Sequence, residues 1–201
     1  MDLPEPFRSE DEMSDKTQPP IRFLRFDTPA ELYGAEPYLT RMTQLRPGAE
    51  ETGLNFLLRL RGSTTPEEAV IYTAFAAVPH LVVWWAYECL RRTLPEPTAP
   101  DRAILALVAD WTRSSDATNR WRVMQSALFA PVRSPAVYLG LAVGWSGGAI
   151  APNDPAPVPS HRMPQAINAA ILSAVAMQDL RDRPILLAKI IDEAARLFAA
   201  H

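Results

Sequence analysis

Cysteine is almost missing from this chain of 201 residues: Cys89 stands alone, so no intrachain disulfide can form and no cysteine metal cluster can assemble. Histidine is nearly as scarce, with His80, His161 and His201 the full set. Asp154, His161 and Glu88 come nearest to a ligand group, but no two share a spacing that puts them on one helical face, so neither a metal nor a cofactor is predicted. Basic charge is not in excess. Lys and Arg number 20 against 23 Asp and Glu, for a net charge of -3, and the arginines are dispersed among acids, which excludes a nucleic-acid footprint. The N-terminus lacks the basic and apolar regions of a secretory signal, and a cytoplasmic location is expected. No fixed-period repeat is visible. Ala69 to Tyr87 carries no formal charge, but Pro79 and His80 divide it and no basic flanks or aromatic belt frame it, so two buried helices are expected and no membrane insertion.

The first 20 residues hold six acids (Asp2, Glu5, Glu10, Asp11, Glu12, Asp15) against Arg8 and Lys16, with Pro4, Pro6, Pro19 and Pro20. That composition cannot offset its ordering entropy by burial, so residues 1–20 read as a disordered acidic tail and residues 21–201 as a single domain. Ile21 to Phe26 alternates apolar and basic residues, which fits a short strand or an arm docking through Ile21, Phe23, Leu24 and Phe26. Beyond it the prolines sit where helices begin. Pro66, Pro79, Pro135, Pro164 and Pro184 each precede an apolar run, and Thr65 and Ser134 stand in capping positions. The expected helices are 50–61, 66–77, 79–94, 101–113, 117–130, 135–146, 164–178 and 184–200. About eight helices with short loops make an all-α protein, either a compact multi-helix bundle or a short solenoid-like array. Leu81 to Tyr87 and Val137 to Val143 are apolar on every side and are expected at the centre of the core.

Gly144, Trp145, Ser146, Gly147 and Gly148 satisfy the G-x-S-x-G pattern of a hydrolase nucleophile elbow. That chemistry requires a strand before the serine and a helix after it, whereas a helix precedes this one and a proline-rich loop follows, so a helix C-cap with positive φ at Gly147 or Gly148 is expected. A serine hydrolase using Ser146 is the alternative reading. Trp84 and Trp85 are adjacent, project about 100° apart on a helix, and cannot share one face of a ligand cage. The segment from Ala149 to Pro159 carries Pro152, Asn153, Asp154, Pro155, Pro157 and Pro159 and is expected to be stiff and extended, either as an internal strap or as a partner-binding segment.

Val83-Trp84-Trp85-Ala86, Asn119-Arg120, Ser134-Pro135-Ala136, and above all the run from Leu141 through Trp145-Ser146-Gly147-Gly148 to Ala151-Pro152, with Pro157 and Pro159, resemble an uncharacterised bacterial family, Domain of Unknown Function 6931. The resemblance covers about residues 60 to 200. It implies no reaction and no catalytic residue; it implies a small cytoplasmic protein encoded beside type VI secretion and effector-loading genes. His80-Leu81-Val82 departs from the charged pair expected there. The sequence therefore predicts a non-enzymatic adaptor or accessory protein that binds a protein partner, with Ile21, Phe23, Phe26, Pro152, Asn153, Asp154, Pro155 and Pro157 as contacts and Trp84, Trp85, Trp145, Ser146, Gly147 and Gly148 as a structural signature. A purely structural oligomer subunit is a further reading.

Overall fold

The computed structural model describes residues 23–151 and 153–200; the acidic segment 1–20, Ile21, Pro152 and His201 lie outside the described residues. It is a helical fold, as the proline punctuation predicts. All eight expected helices are present: α3 (Gly53–Arg61), α4 (Glu68–Ala76), α5 (Pro79–Thr93), α6 (Ala99–Arg113), α7 (Ala117–Leu128), α8 (Pro135–Gly144), α9 (Arg162–Ala176) and α10 (Arg183–Ala199). Two short helices precede them, α1 (Pro29–Ala35) and α2 (Pro37–Met42), and a two-stranded antiparallel hairpin, β1 (Ala149–Ala151) with β2 (Asp154–Pro157), separates α8 from α9.

Side-chain caps fix where helices begin. Thr28, Thr52, Thr98, Asp116 and Ser134 each accept a hydrogen bond from a backbone N–H of the first turn, and Thr28 forms a reciprocal capping box with Glu31. Thr65 behaves differently from the expected cap. Its hydroxyl donates to Glu68 Oε1 at 2.9 Å, while Glu68 Oε2 accepts the Gln44 N–H at 2.9 Å, so α4 starts at Glu68 and its first carboxylate ties down the chain after α2. Glu68 is buried, and these bonds offset the cost of its desolvation.

The core is built around α4, α8 and α9. All nine residues of α4 are buried, from Glu68 to Ala76. In α8 only Tyr138 is partly open to solvent, so Val137 to Val143 occupies the centre as expected. Leu81 to Tyr87 does not: Trp84 is 43% exposed and Leu81 and Tyr87 are half-buried, which gives α5 a wet face despite its apolar composition. His80 is exposed at the start of that helix. Phe23 and Leu24 dock onto the fold. Arg25 N–H donates to Ala76 O and Val78 N–H to Phe23 O, both at 2.8 Å, and the Phe23 ring meets Phe198 edge-on at 5.6 Å. Phe23 and Leu24 thus dock as an arm, with Leu24 in an isolated antiparallel bridge to Ala77, while Ile21 lies outside the described residues.

α7 and α8 approach closely because glycine lines their seam. A Cβ at Gly140 would lie 2.9 Å from Ala127 Cβ, and one at Gly144 2.6 Å from Met124 Cγ. Neither position tolerates a side chain without a backbone shift. Cys89 lies on the buried face of α5 at 2% exposure, and burial pushes its thiol well above the ordinary range, so it packs as a small hydrophobe. Thiol reagents at mildly alkaline pH are expected to label it only as fast as the protein opens; rapid stoichiometric labelling of the native chain would contradict this burial.

Candidate functional site

Helix polarity divides the molecule into two ends. α8 and α9 run antiparallel, so that Tyr138, Leu141 and Trp145 line one groove with Ala169, Gln165 and Arg162. α7 is antiparallel to α8, its Arg120 reaching the carbonyl of Gly144, and α6 is parallel to α8, its Asp101 accepting from the Ser134 hydroxyl. Gln178 Nε2 donates to Thr93 O at 2.7 Å and so brings the last turn of α5 beside the end of α9. One end therefore gathers the C-termini of α5, α7 and α9 with the N-termini of α6, α8 and α10. The hairpin marks the other.

At the hairpin end, Ser146 lies just past α8, and its hydroxyl donates to Val143 O at 2.8 Å. The preceding element is a helix and the following one a hairpin, so the strand–turn–helix geometry of a nucleophile elbow is not formed. The chain reverses at Gly148, whose φ of 70° lies in the left-handed region; this is the second of the two glycines the sequence offered for that role. Arg120 stabilises the reversal by donating to the carbonyls of Gly144 and Gly147. Partial burial with no carboxylate beside it lowers the Arg120 guanidinium from its ordinary value. Trp145, Ser146, Gly147 and Gly148 thus cooperate as one helix terminus.

The expected extended strap is a hairpin in which Asn153, Asp154, Pro155 and Pro157 are exposed. Its β2 edge is closed to further pairing: Pro155 and Pro157 lack an N–H, and the Ala156 N–H is taken by Asp154 Oδ1 at 3.0 Å. Beside it lies a groove of about 370 Å³ walled by Tyr138, Trp145, His161 and Arg162. The Arg162 guanidinium stacks over the Trp145 ring at 5.2 Å, and the His161 ring lies flat on Tyr38 at 4.2 Å. Among the arm candidates, Phe23 is used in the chain's own core and offers a partner nothing; Phe26 is half-buried. The two signature tryptophans of α5 part company as their spacing predicts, Trp85 into the core and Trp84 into solvent.

The other end carries what the sequence did not disclose. Of the eight exposed large hydrophobic side chains among the described residues, six sit there: Leu128, Phe129 and Val132 around the α7–α8 turn, and Met177, Leu180 and Ile185 around the α9–α10 turn. Phe129 is 81% and Leu180 76% exposed. Two grooves lie beside these side chains, one of about 260 Å³ walled by Pro100, Ala130, Pro131 and Val137, and one of about 320 Å³ walled by Leu172, Val175, Pro184 and Leu187. Scattered exposed hydrophobics are ordinary; here six are concentrated on two turns at the same end of the helix array. Among the described residues no group of three or more His, Cys, Asp or Glu side chains is placed to hold a metal ion, and no helix is long and apolar enough to cross a membrane.

Residues 56–198 match the model of a family of unknown function, DUF6931. No curated protein matches the chain, and no solved structure does.

Proposed function

The chain belongs to the DUF6931 family, and on that premise we propose that it is a non-enzymatic adaptor that binds another protein in the bacterial cytoplasm, in a type VI secretion or effector-loading setting. The observation that carries the binding role is the collection of Phe129, Val132, Met177, Leu180 and Ile185 at one end of the helix array, each more than half exposed. Water-exposed apolar surface of this kind is stabilised by association, and a rigid helical frame holds it in place before the partner arrives. The secretion setting rests on the family resemblance alone. The earlier candidates in the hairpin, Asn153, Asp154, Pro155 and Pro157, remain free to contact a partner at the opposite end.

The test is a double variant, Phe129→Ser with Leu180→Ser, in the full chain. Both side chains are surface features, so the melting temperature is expected to stay close to that of the parent. Affinity for a protein co-purifying in stoichiometric amount is expected to fall by a factor of ten or more, about 1.4 kcal/mol or greater, since truncating two large side chains at the centre of a contact removes the apolar area it buries. Unchanged recovery of that protein by the folded double variant removes the apolar end from the binding role.

A further inference from the structure

The hairpin end presents a second surface of different chemistry, and we infer that its groove takes an acidic segment of a partner protein, one with an aromatic or aliphatic residue flanked by Asp or Glu. The lining carries one guanidinium and one imidazole and no carboxylate. Among the described residues the Arg162 guanidinium makes no hydrogen bond and no ion pair; its one contact is the face of Trp145 at 5.2 Å, and this leaves its N–H donors directed to solvent or to a ligand. Glu36, hydrogen-bonded to the residue before His161, is 4% exposed and already committed, pairing with Arg25 at 3.1 Å and accepting from the Ser160 hydroxyl at 2.7 Å. It therefore holds Ser160, the neighbour of His161, in place and does not neutralise Arg162.

At the turn that follows α8, Arg120 donates to the carbonyls of Gly144 and Gly147 and stacks over the Trp121 ring at 4.2 Å, so it is engaged within the fold. Arg162 is thus the one guanidinium in the groove lining, and no carboxylate of that lining answers it, on a protein whose net charge is -3. Beside it Leu141, Ala166 and Ala169 give the groove an apolar floor. A carboxylate on Arg162 would gain charge-assisted, bidentate hydrogen bonds, and an adjacent ring or aliphatic side chain would cover the floor. A basic or purely polar segment would leave the guanidinium unpaired. This surface is separate from the Phe129 and Leu180 turns, so either one can fail while the other stands.

The experiment uses the full chain and two blocked peptides, Ac-Asp-Glu-Phe-Glu-Asp-amide and its lysine counterpart Ac-Lys-Lys-Phe-Lys-Lys-amide, and follows the indole N–H resonance of Trp145, assigned with Trp145→Phe. The acidic peptide is expected to shift that resonance in a saturable way. Its affinity should weaken about tenfold in Arg162→Gln, be partly restored in Arg162→Lys, and fall as salt rises from about 0.05 to 0.5 M. Tighter binding by a chain with Glu10→Gln, Asp11→Asn, Glu12→Gln and Asp15→Asn would show the protein's own acids competing for the groove and supports the same chemistry. Equal shifts with both peptides, no shift with either, or equal affinity in the Arg162→Gln and Arg162→Lys chains overturns the proposal. So does a Trp145 shift that depends on protein concentration alone, which assigns the groove to a second copy.

Discussion

Trp85→Ala is expected to lower the unfolding free energy by about 3–5 kcal/mol, whereas Trp84→Ala, one residue earlier, is expected to cost less than about 1 kcal/mol. Trp85 is 2% exposed and its whole bicyclic side chain is enclosed, so truncation leaves a cavity that rigid helices on either side cannot close. Its indole N–H meets no acceptor among the described residues, so the expected loss is one of packing. Trp84 lies along a shallow groove with Glu88, Arg92 and Arg196 and keeps 43% of its surface in water. Urea denaturation of the two variants settles the matter: comparable losses would mean that α5 is enclosed on all sides, as its composition suggests and its burial denies.

The second large effect belongs to the α7–α8 seam. Gly140→Ala and Gly144→Ala are each expected to destabilise by about 1–3 kcal/mol, even though alanine is the better helix former by about 1 kcal/mol. At Gly140 the new methyl would meet Ala127 Cβ at 2.9 Å and Ile104 Cγ2 at 3.0 Å, and a methyl on a helix backbone has no rotamer to escape into. At Gly144 the obstacle includes Met124 Cβ at 2.7 Å, which is equally fixed, whatever the thioether beyond it does. Gly34, in α1, provides the internal control, with nothing within 4 Å of an added Cβ. Gly34→Ala should stabilise by about 0.5–1 kcal/mol. Stabilisation at all three sites would show that α7 and α8 do not approach as closely as described.

Most of the helical framework was legible because its signals are local. Pro79, Pro135 and Pro184 mark first turns, and Ser134 accepts the Val137 N–H as a cap should. α1 and α2 were missed because they hold seven and six residues, too few for an apolar stripe to repeat. Thr28 and Glu31 nevertheless spell a capping box before them, a signal that was available. The prolines of 149–159 predict a stiff extended segment and give no sign of pairing; Pro155 and Pro157 are accommodated on an edge where no N–H is asked for. The apolar end was not legible. Phe129 falls inside the helix expected over 117–130, and α7 stops at Leu128, which turns it outward; Val132 lies beyond Pro131 in the loop. Exposure is a property of how helices end and pack, and residue spacing does not encode it. The groove at Arg162 likewise needs α8, α9 and α2 in register before its unpaired guanidinium is apparent.

The central claim is that the α7–α8 and α9–α10 turns are a protein-binding surface, and site-directed photo-crosslinking in the source cell tests it most directly. A photoreactive phenylalanine analogue is placed at position 129 or 180 in the full chain, and at exposed polar positions 113 or 122 as references. The account predicts one discrete crosslinked protein from 129 and 180 and none of that species from 113 or 122. The same product from all four positions, or none from 129 and 180, would contradict it.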